Sequence, residues 1–167
     1  MLATSRWAFA QGGGQATPPS APLPATDVTA VAIDTFINAL PKDAISDLPI
    51  RTVDVGGSRV GVYGVFRPKS QPGDAIAHET RTAEVYYILE GAGELVTGGT
   101  IAGIKTPPAG RSAGPRGERI EGGVARRVSR GDVIVIPGRT PHWWKSLEGD
   151  LKYMIIRADP DSRLTLK

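Results

Sequence analysis

The residues best suited to chemistry are two histidines and one glutamate. His78 and His142 are the only histidines among 167 residues, and there is no cysteine. The lack of cysteine excludes disulfides, zinc–thiolate sites, iron–sulfur clusters and a cysteine nucleophile. Glu84 and His142 each begin a segment typical of a β-strand. If these three side chains line one cavity, two imidazoles and one carboxylate converge, which is the ligand count of a 2-His-1-carboxylate metal site with positions open for substrate or O₂.

Strand alternation assigns further residues to the same cavity, because residues two apart on a strand face the same side. On this basis Thr80 accompanies His78, while Trp144 and Ser146 accompany His142. We expect Tyr86 to act as a proton donor and Glu79 as a base or substitute carboxylate. Ordinary core packing is the alternative role for the aromatic side chains. The predicted substrate pocket adds two arginines at strand ends, which are suited to bind a carboxylate, and comprises Thr80, Ile88, Trp144, Arg67 and Arg139.

Two segments around these residues follow a known pattern. Residues 73–91 contain Gly73, His78, Glu84 and, after six more residues, Gly91. Residues 131–142 run from a glycine through Pro137 to His142. Together, in this order, the two segments resemble the paired motifs of the cupin superfamily, and the resemblance covers roughly residues 50–157.

The resemblance implies an all-β fold, a cupin-type jelly-roll barrel of two antiparallel sheets, and one divalent metal inside it. The family's ligands match His78, Glu84 and His142, whereas Thr80 replaces a second histidine of the first motif. Gly138 is displaced by one position, and Ser146 stands where the family has an asparagine. Nitrogen and oxygen ligands suit Fe, Mn, Ni, Co or Zn without selecting among them.

The order of hydrophobic residues supports one β-rich domain at residues 27–160. Ile33, Phe36, Ile37 and Leu40 share a helix face, which predicts a helix over residues 28–39, capped by Thr26 or Asp27 and ended by Pro41. At least eight short strands follow, with turn signals between them. Their predicted ranges are 50–55, 59–67, 75–78, 84–89, 94–97, 125–129, 133–136, 142–146 and 151–157.

Residues 98–123 show neither helical nor strand periodicity, which predicts a long mobile loop within the domain. Residues 105–130 carry seven basic and two acidic side chains before the turn at residue 131. A solvated surface loop is one interpretation, and a lid that attracts an anionic substrate is the other.

The ends of the chain are predicted to lie outside the domain. Residues 1–26 resemble a disordered leader rich in Gly, Pro and Ala, and residues 161–167 a tail. Ala8-Phe9-Ala10 resembles a signal-peptidase cleavage site, which favours a periplasmic or secreted protein over a cytoplasmic one. The net charge of +3 and the scattered aromatic residues argue against nucleic-acid binding, and no apolar run is long enough to cross a membrane.

These observations predict a metal-dependent enzyme acting on a small molecule, of the dioxygenase, lyase or isomerase type. The alternatives are a non-catalytic barrel that binds a metal or small ligand, and a structural dimer. By its resemblance to cupins, and because open sheet edges favour pairing, we expect a homodimer.

Overall fold

The structure is a computed structural model that describes residues 21–106 and 114–167. One helix, α1 (Ala30–Ala39), precedes the strands β1 (Ser46–Asp54), β2 (Arg59–Arg67), β3 (Ala75–Ile76), β4 (Ala83–Glu90), β5 (Ala92–Thr97), β6 (Thr100–Lys105), β7 (Arg116–Glu121), β8 (Val124–Ser129), β9 (Val133–Ile136), β10 (His142–Leu147) and β11 (Leu151–Asp159). No helix within these ranges is long and apolar enough to cross a membrane.

The strands form two antiparallel sheets, as the all-β jelly-roll prediction required. One sheet has the order β1-β2-β11-β4-β9, and the other has the order β6-β7-β3-β10-β5-β8. Between the sheets lies the main hydrophobic core, which includes Val65, Ile88, Leu95 and Ile155, each at most 1% exposed. Because alternate residues of each strand face inward, the same faces that build this core also carry the polar residues at one end of the barrel.

Helix α1 packs on the outer face of the five-stranded sheet. Its Ile37 and Leu40 are buried against Phe66 of β2, as the predicted apolar face required. The predicted cap was wrong: Thr29 is the N-cap, and its hydroxyl accepts a hydrogen bond from the amide of Ala32 at 3.2 Å. The helix ends before Pro41, because a residue that precedes proline avoids the helical conformation, and Leu40 is indeed extended.

Several strand boundaries also differ from the predictions, and those of β1 and β3 have a visible cause. Strand β1 begins at Ser46 instead of residue 50 and accommodates Pro49 through a register shift between Pro49 and Arg51. Proline is tolerated there because β1 is an edge strand with one unpaired side. Strand β3 ends at Ile76 instead of residue 78. The amide of Ala77 still donates to the carbonyl of Pro115, but proline has no amide N–H to return a bond.

The predicted loop at residues 98–123 is largely a β-hairpin, which corrects that prediction. Strands β6 and β7 pair from Thr100 with Glu121 to Lys105 with Arg116. Glycines obscured the alternation: a Cβ on Gly117 would lie 2.5 Å from the carbonyl oxygen of Ala102. The close strand contact therefore needs glycine at a position where the pattern expects a side chain. Residues 107–113 of the predicted loop lie outside the described residues.

The end of the chain is attached to the barrel. Lys167 exchanges backbone hydrogen bonds with Thr52 of β1, and the amide of Leu164 donates to Asp159 at 2.7 Å. Leu164 packs against the main core. The predicted leader falls mostly on residues 1–20, which lie outside the described residues, so it stays a prediction.

Candidate metal centre

His78, Glu84 and His142 meet at one end of the barrel interior. A nitrogen of each imidazole and a carboxylate oxygen all lie within 4.8 Å of one another. His78 Nε2 is 3.3 Å from Glu84 Oε1, and His142 Nε2 is 3.4 Å from Glu84 Oε2. The three residues are separated in sequence, and the packing of the two sheets brings them together. Glu84 belongs to β4 of the five-stranded sheet, whereas His142 begins β10 of the other sheet.

Both histidines present an unpartnered nitrogen to the glutamate. Among the described residues, neither His78 Nε2 nor His142 Nε2 has a hydrogen-bond partner, although both atoms are buried. The other ring nitrogen of His142, Nδ1, lies 2.9 Å from the carbonyl oxygen of Thr140. Because a carbonyl only accepts hydrogen bonds, Nδ1 must carry the proton and Nε2 must carry a lone pair. A carbonyl partner of this kind orients a histidine for metal ligation.

Burial keeps His142 neutral. Burial lowers the pKa of His142, and the charge of Glu84 and the bond to Thr140 only partly oppose this shift. At neutral pH the ring is therefore uncharged, which is the form that ligates a cation.

Glu84 is held as a buried carboxylate. It is 2% exposed, and Arg157 Nε donates a hydrogen bond to Oε1 at 2.7 Å while the hydroxyl of Tyr86 donates to Oε2 at 3.2 Å. Burial by itself would raise the pKa of Glu84, but the contact with His78 and the charge of Arg157 hold it well below its ordinary value. The carboxylate is thus ionised at neutral pH and available to a cation.

Arg157 connects this site to Asp47 of β1. Its guanidinium donates to Asp47 Oδ2 at 2.6 Å and lies 4.0 Å from the centre of the Tyr63 ring. Burial works to lower the pKa of Arg157, but the carboxylates of Asp47 and Glu84 raise it further above its usual range. Arg157 therefore stays charged and fixes the orientation of Glu84.

A cavity of about 690 Å³ opens beside the site, a size in the usual range for small-molecule pockets. Of the predicted pocket and catalytic residues, Thr80, Arg139 and Glu79 line it together with His78 and Glu84. Arg139 Nε donates to the backbone carbonyl of Glu79 at 3.3 Å. The cavity wall further includes residues that the sequence analysis did not single out: Asp47, Ile76, Thr82, Gly114, Arg116, Arg157, Asp161, Arg163 and Leu164.

Three predicted pocket residues lie elsewhere, which corrects those predictions. Ile88 and Trp144 belong to the closed core, at 0% and 2% exposed. Each inward step of two residues moves about 6–7 Å along a strand, so these side chains lie deeper than Glu84 and His142. Arg67 is at the far end of β2 from the site, where it donates to the hydroxyl of Tyr153 at 2.8 Å.

The remaining aromatic and polar predictions have mixed outcomes. Tyr86 is buried and its pKa is raised well above its ordinary value, chiefly by burial, so its hydroxyl keeps the proton that it donates to Glu84. Tyr87 and Trp143 face away from Tyr86 and Trp144, because successive side chains of a strand point to opposite faces. Ser146 is exposed, because a register shift between Trp144 and Ser146 reverses the alternation.

Arg157 was missed although the sequence contains a signal for it. Leu151, Tyr153 and Ile155 of β11 all face the core, and continued alternation places Arg157 on the same inner face. A charged residue at an inward position needs a partner of opposite charge. The partners, Glu84 and Asp47, come from strands distant in sequence.

Comparisons with known proteins support the fold. No protein-family model matches the sequence, and no curated protein sequence matches it. Among solved structures, protein BH2720 from Bacillus halodurans matches with a TM-score of 0.50 and 16% identity over 83% of this chain and 84% of that chain. An RmlC-like cupin protein from Desulfovibrio desulfuricans matches with a TM-score of 0.44 and 17% identity over 72% of this chain and 89% of its own length. The DMSP lyase DddQ from Ruegeria pomeroyi matches with a TM-score of 0.48 and 16% identity over 90% of this chain and 82% of that chain.

These identities bear on the fold and not on the activity. The two antiparallel sheets agree with the likeness to protein BH2720. The chain therefore has the two-sheet antiparallel barrel fold that the resemblance to cupins implied.

Proposed function

We propose that the protein is a metal-dependent enzyme that acts on a small molecule, with one divalent metal held by His78, Glu84 and His142. The observation that carries the proposal is the pair of buried, unpartnered Nε2 atoms aimed at an ionised carboxylate. The Nε2 lone pair of His142 faces a carboxylate oxygen of Glu84, and this contact is unfavourable unless a cation lies between them. The residues present therefore fit a divalent metal.

The surrounding residues suit this role. Thr140 orients His142, and Arg157 and Tyr86 orient Glu84 without using every lone pair of its two oxygens. A divalent metal bound here would supply a Lewis acid, or O₂ activation in the case of iron. Thr80 contributes a hydroxyl to the cavity wall where the family has a second histidine, which leaves room for a substrate oxygen.

Glu79 is the best placed group to accept a proton from a substrate. It lines the cavity, and its side chain makes no hydrogen bond or ion pair with any described residue, whereas Glu84 and Asp47 are engaged by Arg157. Tyr86 acts as a positioning residue, since it is buried and donates its proton to Glu84. In this assignment Glu79 acts as the base at the cavity wall, and Glu84 acts as a metal ligand.

Metal content of purified protein tests the proposal. Untagged wild type, His142→Gln, Glu84→Gln and the control Glu94→Gln are incubated with Mn, Fe, Co, Ni or Zn, desalted and analysed by mass spectrometry. Glu94 is a suitable control because its carboxylate pairs with Lys145 away from the cavity. We expect near-stoichiometric metal in wild type and Glu94→Gln and loss from the two site variants, with circular dichroism showing that all four are folded.

Two results would contradict the proposal. One is full metal occupancy in folded His142→Gln or Glu84→Gln, which would place the metal elsewhere. The other is the failure of wild type to retain any of the five ions. The second result would favour a metal-free binding barrel, which is our second candidate because Arg157 already balances the charge of Glu84.

The type of reaction is also a proposal. Oxygen consumption by the iron form distinguishes a dioxygenase from a lyase or isomerase, which need no O₂. The homodimer remains a prediction, which sedimentation velocity tests. Export to the periplasm also remains a prediction, and it is tested by determining the N-terminal sequence of the protein recovered from cell fractions.

A further inference from the structure

Arg116 of β7 faces the same interior as the candidate metal ligands. Ile76 of β3 lies directly opposite His142 on one side and Arg116 on the other. Residues opposite each other in antiparallel strands project from the same face of the sheet. Two strand spacings of about 4.8 Å place the backbone of Arg116 roughly 10 Å from that of His142. Both Ile76 and Arg116 line the cavity beside His78 and Glu84.

The guanidinium of Arg116 has no acidic partner. Its Nε is buried and has no hydrogen-bond partner among the described residues. All 17 acidic residues of the chain fall within the described ranges, and none forms an ion pair with Arg116. The nearby acids on β7 and before β3 are engaged elsewhere: Glu121 pairs with Arg119, and Asp74 pairs with Lys105.

The charges that line the cavity are unevenly paired. Four arginines and four carboxylates line it, and Arg81 pairs with Asp161 from outside, so these nine residues carry a net charge of +1. Asp47, Glu84 and Asp161 each form an ion pair with an arginine. Arg116, Arg139 and Arg163 form no ion pair with a described acidic residue. Unpaired cations that line a cleft attract anions.

We propose that the cavity binds a small carboxylate, with the carboxylate group held by Arg116 and the rest of the molecule directed toward His78, Glu84 and His142. A guanidinium matches a carboxylate through two parallel hydrogen bonds, which makes arginine the suitable residue for this task. The proposal rests on the proposed function in taking this cavity as the substrate site. It narrows the substrate to a small molecule that carries a carboxylate group.

Binding of simple carboxylates to metal-free and Mn-loaded protein tests this assignment by calorimetry. The probes are succinate and propionate at constant ionic strength, with succinamide as the uncharged counterpart. The variants are Arg116→Gln, Arg116→Lys and the control Arg119→Gln, which removes the same charge from the exposed side of the same strand. Melting curves establish that each variant is folded.

We expect at least one of the carboxylates to bind wild type and Arg119→Gln, and succinamide to bind neither. Loss of the charge-assisted pair weakens that binding at least about 10-fold in Arg116→Gln, while Arg116→Lys retains part of it. Equal affinity in Arg116→Gln and wild type, or no saturable binding of either carboxylate to wild type, would overturn the assignment. Metal retention is measured on the same samples. If Arg116→Gln retains metal and binds the carboxylate as tightly as wild type, only this inference is refuted. If wild type retains no metal but binds a carboxylate in a way that depends on Arg116, only the proposed function is refuted.

Discussion

Replacing Arg157 by methionine should destabilise the metal-free protein strongly. The side chain of Arg157 is 14% exposed and holds Glu84, which is 2% exposed, through a hydrogen bond of 2.7 Å. Methionine preserves much of the aliphatic volume but removes the charge. The carboxylate of Glu84 would then be buried beside the neutral ring of His142 with no guanidinium to balance its charge.

The magnitude follows from the separate contacts of Arg157. A hydrogen bond to a charged partner contributes about 1.5–3 kcal/mol. The contact over the Tyr63 ring adds roughly 0.5–2 kcal/mol at 4.0 Å from the ring centre. Asp47 is 34% exposed, so the solvent-screened pair with it contributes at most about 1 kcal/mol. Together these contributions give a loss of roughly 2–6 kcal/mol, a range that contains the usual cost of about 3–5 kcal/mol for removing one partner of a buried ion pair.

Urea denaturation at pH 7 in the presence of a chelator measures this loss. The same substitution is also made in a Glu84→Gln background, where no buried anion remains, and there it should cost less by about 1.5 kcal/mol or more. Arg127→Met, which breaks the exposed pair with Glu148, serves as the control and should change the unfolding free energy little. A loss below about 1 kcal/mol, or an equal loss in both backgrounds, would refute the idea that Arg157 compensates a buried charge.

The remaining predictions concern packing and pH. Gly64→Ala should cost about 1–3 kcal/mol in urea denaturation, because a Cβ there would lie 2.8 Å from Ile37 Cγ1 beneath α1; an unchanged midpoint would contradict this contact. Gly138→Ala should lower both the melting temperature and metal occupancy, since its Cβ would lie 2.6 Å from the backbone of Arg81 in the loop between His78 and β4; normal occupancy would contradict it. Burial raises the pKa of Tyr153 above 10.0, against the opposing charge of a nearby guanidinium. The unfolded chain therefore loses this proton first, and wild-type stability should fall above pH 10 by up to about 1.4 kcal/mol per pH unit from this group. Tyr153→Phe should remove that part of the slope in alkaline urea titrations, and an unchanged slope would count against the assignment.

Much of the fold was predictable because alternation and turn residues are local signals. Strands such as Arg59–Arg67 and Val133–Ile136 agree with the structure at both ends. Segments whose local signal is disturbed were either missed, as with β6 and β7, or predicted too short, as with β1. The hairpin of β6 and β7 contains glycines required by close strand contact, and β1 contains a proline that only an edge strand tolerates. In both cases the position of the strand within its sheet determines whether the segment forms a strand, and that position depends on strands distant in sequence.

The candidate site also contains some residues that the sequence predicted and others that it did not. His78, Glu84 and His142 could be singled out by residue type and motif spacing alone, because the chain has only two histidines and both stand at motif positions. Their partners could not be identified, since Arg157 and Asp47 meet Glu84 across strands far apart in sequence. Ile88, Trp144 and Arg67 were misplaced because alternation specifies which face of a strand a residue occupies but not how deep it lies along the barrel.

The sequence by itself therefore determined the ligand types, the all-β class and the helix that covers the sheet. Only the tertiary structure decided which charges are neutralised and which are free. Arg157 and Arg116 carry the same guanidinium group, yet the first lies against two carboxylates and the second has none. Charge interactions depend on distance and burial, and both are set when the two sheets pack face to face.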